Sequence, residues 1–434
     1  MTEGDNHDTE EQRRTLLAMF DAAVQRAHPA RCLPHHLPAP PPAGRIIVVG
    51  AGKASAAMAV AAEQFYRVHG ALDRVTGFVT TRHGYGLATE LIEVVEAGHP
   101  VPDEASNAAA ARTIALAREA GPDDIVLVLL SGGASALWSA PAPGVSFEAK
   151  QALTRELLKS GARIHELNCV RKHLSRIKGG KLAAAAYPAH LLTLAISDVP
   201  GDDPATIGSG PTVGDPTTLA DARAVLSRFG ITPAPEIGTA LQNPENETPK
   251  PGAEVLAKSE FKLIAAPKAS LEAAAEVARA KGYRVEILGD ALEGEAREVA
   301  MQHADMARKL LAQGERVAIL SGGELTVTVR GSGTGGPNQE YALGLVVGLD
   351  GAPGIAALAA DTDGADGGAG NPEDPAGAFV LPDTPSRAYA LNLKAANFLA
   401  DNDSTAYFRA LGDLVLSGPT QTNVNDFRAI LIDP

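Results

Sequence analysis

Short apolar runs alternate with longer alanine-rich stretches along most of this chain. After a polar start, residues 15–27 (TLLAMFDAAVQRA) repeat apolar side chains at helical spacing. The runs at 46–49 and 125–130 are apolar without interruption, and those at 92–95 and 191–196 are each broken once, by Glu93 and Thr193; all four read as buried strands. Stretches between them, such as SAAMAVAAEQFY, predict helices. This alternation predicts βαβ units and a mainly parallel sheet. A second series places strands at 261–265, 283–288, 317–320, 325–329 and 355–360, and the chain closes on strand-like runs at 414–416 and 429–432.

Residues 232–256 interrupt the pattern with a proline-rich, polar stretch, the best candidate for a domain boundary. The expected organisation is a disordered acidic tail over 1–14, an N-terminal α/β domain over 15–250 carrying nucleotide- or phosphate-binding loops, and a C-terminal α/β domain over 251–434. The last ~30 residues are candidates to return to the N-terminal domain. A length of 434 residues suits two cores better than one.

Composition narrows the class. With 45% hydrophobic residues, 44 Gly and 30 Pro, the chain is too apolar for disorder, and its glycines gather at strand-to-helix junctions. No apolar run is long enough to span a bilayer, and the start of the chain is acidic rather than signal-like, so a soluble cytoplasmic protein without membrane partners is expected. Cys32 and Cys169 have no metal-type spacing. The formal charge of −14 repels nucleic acid at long range, so an anionic ligand must be captured by local cations.

Six motifs could supply chemistry. In Val49-Gly50-Ala51-Gly52-Lys53-Ala54-Ser55 a strand turns tightly into a helix, a geometry that aims backbone N–H groups at an anion while Lys53 adds charge. It matches neither the Walker A spacing nor the dinucleotide fingerprint, and a turn that simply packs helix on strand is the plain alternative. Ser131-Gly132-Gly133-Ala134-Ser135 follows a buried strand and forms either a cradle for oxyanions or a tight turn. Between Arg171 and Lys181 lie Arg171, Lys172, His173, Arg176, Lys178 and Lys181, with no acid between Glu166 and Asp198. This is an anion-capturing segment or a solvated helix face. Asp198, beside a glycine turn at a strand end, can hold Mg²⁺, accept a hydroxyl proton, or cap a turn. The loop from Gly331 to Glu340, with Asn338 and Gln339, opens a helix in a phosphate-friendly way, and Asp361, Asp363 and Asp366 close a strand as candidates for Mg²⁺ or substrate hydroxyls. Either loop can also be a plain glycine-rich connection. Neither a Gly-x-Ser-x-Gly elbow nor a His-Glu-x-x-His helix is present, which lowers hydrolase and zinc readings.

Taken in order, residues 49–55, Glu96-Ala97-Gly98-His99-Pro100, residues 130–135, 168–180, Ser197-Asp198-Val199-Pro200-Gly201-Asp202, Ser321-Gly322-Gly323-Glu324, residues 335–340 and Thr362-Asp363-Gly364 resemble the glycerate 2-kinase family, whose members often also carry the name hydroxypyruvate reductase from tartrate degradation. The resemblance runs from about residue 15 to the end. It implies two α/β domains with mainly parallel or mixed sheets and an active-site cleft between them. It also implies ATP and Mg²⁺ as cosubstrates and transfer of the γ-phosphoryl group to the 2-hydroxyl of D-glycerate. Lys53 carries over as the phosphate-contacting catalytic lysine. On that reading Asp198 orients or deprotonates the hydroxyl. Gly50, Gly52, Ser131, Gly132, Gly133, Ala134, Ser135, Lys172, Arg176, Lys178, Asn338, Gln339 and Glu340 bind substrate or phosphate, and Asp363 and Asp366 hold the metal. Many members have a phosphoryl-contacting Arg where this chain has Pro337. The partners expected are small molecules, with a homodimer as the candidate assembly. The competing readings are an NAD(P)H-dependent hydroxypyruvate reductase, built on the Gly50 turn and Arg82, and a non-catalytic small-anion sensor on the same scaffold.

Overall fold

The computed structural model describes residues 3–367 and 373–434, with side chains from Asp8 onward. The chain divides into two α/β units, Cys32–Ile264, and Met1–Arg31 together with Ala265–Pro434.

In the unit Cys32–Ile264, β1 (Ile46–Ala51), β2 (Val75–Arg82), β3 (Glu93–Ala97), β4 (Ile125–Leu130), β5 (His190–Ile196) and β6 (Ser259–Ala265) form one sheet in the order β3-β2-β1-β4-β5-β6. The first five strands are parallel. β1 is buried along its whole length and β4 and β5 nearly so, which explains their predominantly apolar sequences. Ile47, Val49, Val128 and Leu130 pack on Ala110, Ile114 and Ala117 of the helix Glu104–Arg118. Its small side chains bring the helix close to the sheet. A second cluster joins Leu153 and Leu157 of the helix Phe147–Lys159 to Leu167 and Val170 of the helix Ile164–His173.

The other unit holds β7 (Arg284–Gly289), β8 (Val317–Gly322), β9 (Ile355–Asp361), β10 (Gly377–Val380), β11 (Leu414–Val415) and β12 (Asp426–Ile432), ordered β11-β10-β9-β12-β8-β7. This sheet is mixed: β7 and β8 are parallel, whereas β12 inserts antiparallel between β8 and β9. The final strand therefore lies in the second sheet, not in the N-terminal one. The tail expected over 1–14 is helical from Glu3, as part of the helix Glu3–Ala27. Leu16, Met19, Phe20 and Val24 of that helix pack on Leu271, Ala274 and Ala278, while Gln12 bonds Asp433 at 2.7 Å and Arg13 pairs with Asp413 at 3.2 Å. Distant partners thus order a segment whose local sequence is merely polar. The strand expected at 325–329 is irregular and reduces to one bridge, Glu295 to Thr326.

Candidate active site

The strand order of the first sheet reverses at β1. The chain builds outward through β2 and β3, then returns to place β4 on the other side of β1. The loops after β1 and β4 therefore meet at a topological switch point, where open α/β sheets bind ligands. Gly52 sits there at φ +136, and a Cβ on it would fall 2.1 Å from the Ser131 hydroxyl, so the close crossing requires glycine.

Hydrogen bonds stitch the two loops together. Lys53 N donates to Gly132 O at 2.8 Å, Ala54 N to Ser131 Oγ at 2.9 Å, and Ser131 N to Ala51 O at 3.1 Å. Gly52 N donates to Thr80 O and Ser55 N to Gly52 O, each at 3.1 Å. Every amide from Gly52 to Ser55 is thus engaged within the protein. The first glycine turn therefore lacks the row of open backbone donors its sequence suggests, and Gly50 packs within β1 against Leu129 O and Val79. In the second loop, by contrast, the Gly132 and Gly133 amides donate no hydrogen bond among the described residues. Gly133 is left-handed, at φ +88, and the His99 ring lies against it.

Behind this loop stands Lys178, 2% exposed. Its Nζ donates to Ser135 O and Ser135 Oγ, both at 2.7 Å, and Ser135 Oγ lies 2.9 Å from Ser209 Oγ. Burial, with the Arg171 and Lys150 charges adding to it, holds the Lys178 ammonium well below the ordinary lysine range. The rest of the basic segment separates by partner. Lys172 pairs with buried Asp215 at 3.5 Å. Lys181 donates to Ser175 O at 2.7 Å and Asn246 O at 2.8 Å, and burial pushes it down to about 8. Arg176 is exposed, bonding Pro141 O at 3.1 Å. Asp198 follows β5, which pairs with β4, so it lies at the same end of the sheet as Ser131. Ala134 opens the short helix Ala134–Leu137 and is buried.

The loops of the other unit are differently employed. Asp366 Oδ1 accepts from Asn338 N at 2.9 Å and Nδ2 at 3.0 Å, and its Oδ2 accepts from Gln339 N at 2.8 Å and Nε2 at 3.0 Å. It caps the helix Pro337–Leu349, satisfying amides that have no intrahelical partner. Burial pushes its carboxyl up to about 7, with the Asp426 charge also raising it and the Asn338 and Gln339 bonds opposing. Gln339 Oε1 accepts from Thr405 Oγ1 at 2.7 Å, and Glu340 binds Arg297 Nε and Asn402 Nδ2, each at 2.8 Å. Asn338, Gln339 and Glu340 are all buried in this network. The loop before them is also closed: Gly331 N donates to Asn402 Oδ1, Ser332 N to Asp401 Oδ1 and Thr334 N to Asp403 Oδ1. Amides that the sequence offers to phosphate thus face carboxylate and amide oxygens of the protein itself. Pro337 occupies the first helical position, where a missing N–H costs little. Asp363 Oδ1 accepts from Ala365 N at 2.8 Å. Among the described residues no three His, Cys, Asp or Glu side chains gather as a metal cage.

The structure thus groups Lys53, Ser131, Gly132, Gly133, Ser135 and Lys178 at one end of one sheet, and engages Lys172, Asn338, Gln339, Glu340 and Asp366 elsewhere. Sequence reasoning missed Lys150, whose only signal is a lysine in helical register with buried Leu153 and Leu157. Its Nζ is buried without a hydrogen-bond partner among the described residues.

Comparison with known proteins gives a consistent picture. Residues 15–242 match a family described as a domain of unknown function, DUF4147, and residues 317–426 match the MOFRL family. An Agrobacterium vitis protein with the provisional name hydroxypyruvate reductase is 50% identical over 97% of this chain and 94% of its own length. A D-glycerate 2-kinase of Thermotoga maritima is 38% identical, covering 96% of this chain and 98% of that protein. A crystal structure of a glycerate kinase from Thermotoga maritima superposes with a TM-score of 0.87 at 37% identity, over 98% of this chain and 100% of that one. No described helix is long and apolar enough to cross a membrane.

Proposed function

The chain belongs to the glycerate kinase family, and on that premise we propose that it transfers the γ-phosphoryl group of ATP to the 2-hydroxyl of D-glycerate, giving 2-phospho-D-glycerate. The observation that carries the reading is the switch-point site, where Lys53, the Gly132 and Gly133 amides and the Lys178-braced Ser135 loop converge. Its chemistry suits an oxyanion.

Phosphoryl transfer spreads negative charge over the moving group, so positioned cations and N–H donors supply most of the catalysis. Lys53 contacts the transferring phosphoryl group. The Gly132 and Gly133 amides bind oxyanion oxygens, and Lys178 holds the loop that carries them. Asp198 orients the attacking 2-hydroxyl and takes its proton. ATP, when bound, supplies the transferable phosphoryl group. Magnesium does not fit at Asp366, whose oxygens already accept four N–H donors.

The reductase reading depends on the Gly50 turn as a dinucleotide site. The engaged amides from Gly52 to Ser55 weigh against it. Cys32 and Cys169 are buried and outside any disulfide, which is compatible with a reducing, cytoplasmic setting.

The decisive assay incubates purified protein with D-glycerate, ATP and Mg²⁺, identifies the phosphoglycerate isomer, and runs hydroxypyruvate with NADH or NADPH in parallel. The expected product is 2-phosphoglycerate without nicotinamide oxidation; nicotinamide oxidation without ATP consumption overturns the assignment.

A further inference from the structure

Lys150 lies on the helix Phe147–Lys159, one turn ahead of Leu153, on the side that packs against the helix Ile164–His173. It is 8% exposed, and its Nζ makes no hydrogen bond among the described residues. Arg171, on the facing helix and largely shielded from water, makes no ion pair among the described residues. Among the described residues Lys178 Nζ bonds only the two Ser135 oxygens. Main-chain bonds hold these segments together: Ala142 N to Leu174 O at 3.1 Å, Arg176 N to Ala140 O at 2.9 Å, and a bridge between Pro141 and Ser175. The nearby acids are already engaged, Asp215 by Lys172, and Glu247 by His173 and Lys250.

A buried ammonium without a counter-charge is costly to the fold. Two such lysines, Lys150 and Lys178, with the half-buried Arg171 guanidinium also without an ion pair among the described residues, make sense if the missing negative charge arrives with a ligand. We propose that Lys150, Arg171 and Lys178 form the inner wall of an oxyanion subsite, which takes either the carboxylate of the hydroxy acid or a phosphate group of the nucleotide. The subsite deepens the kinase reading and rests on it only for the identity of that oxyanion.

The test uses the full chain without turnover. Inorganic phosphate, D-glycerate and a non-hydrolysable ATP analogue are titrated separately into wild type, Lys150→Met and Lys150→Arg by calorimetry, and each protein is melted without ligand. Wild type binds at least one of the three. Lys150→Met weakens that binding by about tenfold or more, as loss of a charged hydrogen bond does, and Lys150→Arg retains most of it. Weakening confined to glycerate identifies the carboxylate; weakening for phosphate and the analogue identifies the phosphate. Without ligand, Lys150→Met melts at or above wild type, because an unpartnered cation has been removed. Unchanged affinity for all three ligands overturns the subsite, and so does a Lys150→Met protein that melts well below wild type or fails to fold. A wild type that binds through Lys150 but transfers no phosphoryl group keeps the subsite and removes the kinase reading. Active wild type with unaffected Lys150→Met binding does the reverse.

Discussion

Lys178 donates its ammonium to both oxygens of Ser135, the carbonyl and the hydroxyl, at 2.7 Å each. A buried cation thereby braces a loop whose Gly132 and Gly133 amides remain available to a ligand, and the arrangement gives the loop both shape and positive potential. Lys178→Met removes both. It is expected to lower kcat/KM for phosphoryl transfer by roughly 10²–10³, the range for loss of a preorganised oxyanion donor. Ser135→Ala keeps the cation and one of its two bonds, so steady-state kinetics should show a smaller loss.

Lys53 separates side-chain chemistry from backbone structure. Its N–H ties the β1 loop to Gly132 O whatever the side chain is. Lys53→Ala should therefore abolish most turnover while circular dichroism and melting temperature stay close to wild type. An unchanged rate would refute its catalytic assignment.

Gly52 makes the opposite prediction. At φ +136 and with the Ser131 hydroxyl where a Cβ must go, Gly52→Ala forces the two switch-point loops apart. The expected result is a loss of both stability and activity, with thermal melting lowered by the several degrees that ~1–3 kcal/mol of backbone strain produces.

Lys150 fixes a pH dependence. Burial, followed by the Arg171, Lys181 and Arg176 charges, pushes its ammonium down to about 7, against 10.5 for a free lysine. Between those values the unfolded chain holds a proton that the folded one releases. The destabilisation is thus full below pH 7 and fades as pH rises toward 10, with a slope approaching ~1.4 kcal/mol per pH unit. The stability difference between Lys150→Met and wild type, measured by denaturant unfolding without ligand, should shrink as pH rises through this window.

Asp366 distinguishes a cap from a metal ligand. Asp366→Ala leaves the amides of Asn338 and Gln339 at the start of the helix Pro337–Leu349 without their acceptor, at a cost of about 1–2 kcal/mol. Melting temperature should fall while the magnesium concentration for half-maximal turnover stays the same. A large shift in that concentration would restore Asp366 as a ligand.

By itself, the sequence determined the α/β class, most of the strands, and the family, because buried parallel strands leave unbroken apolar runs and the Gly-rich motifs stand in a specific order. It also marked the loops at 50–55 and 131–135 as candidate sites of chemistry. The tertiary structure alone decided which donors in those loops are available. The amides of Gly52, Lys53 and Ala54 are satisfied by Thr80, Gly132 and Ser131, residues on other strands and loops, whereas those of Gly132 and Gly133 donate no hydrogen bond among the described residues. It alone separated a basic segment of uniform sign into Lys172, neutralised by Asp215, and Lys178, which pairs with no acid among the described residues. Hydrogen-bond satisfaction and charge pairing depend on what the fold brings within about 3 Å, and sequence spacing does not encode that distance.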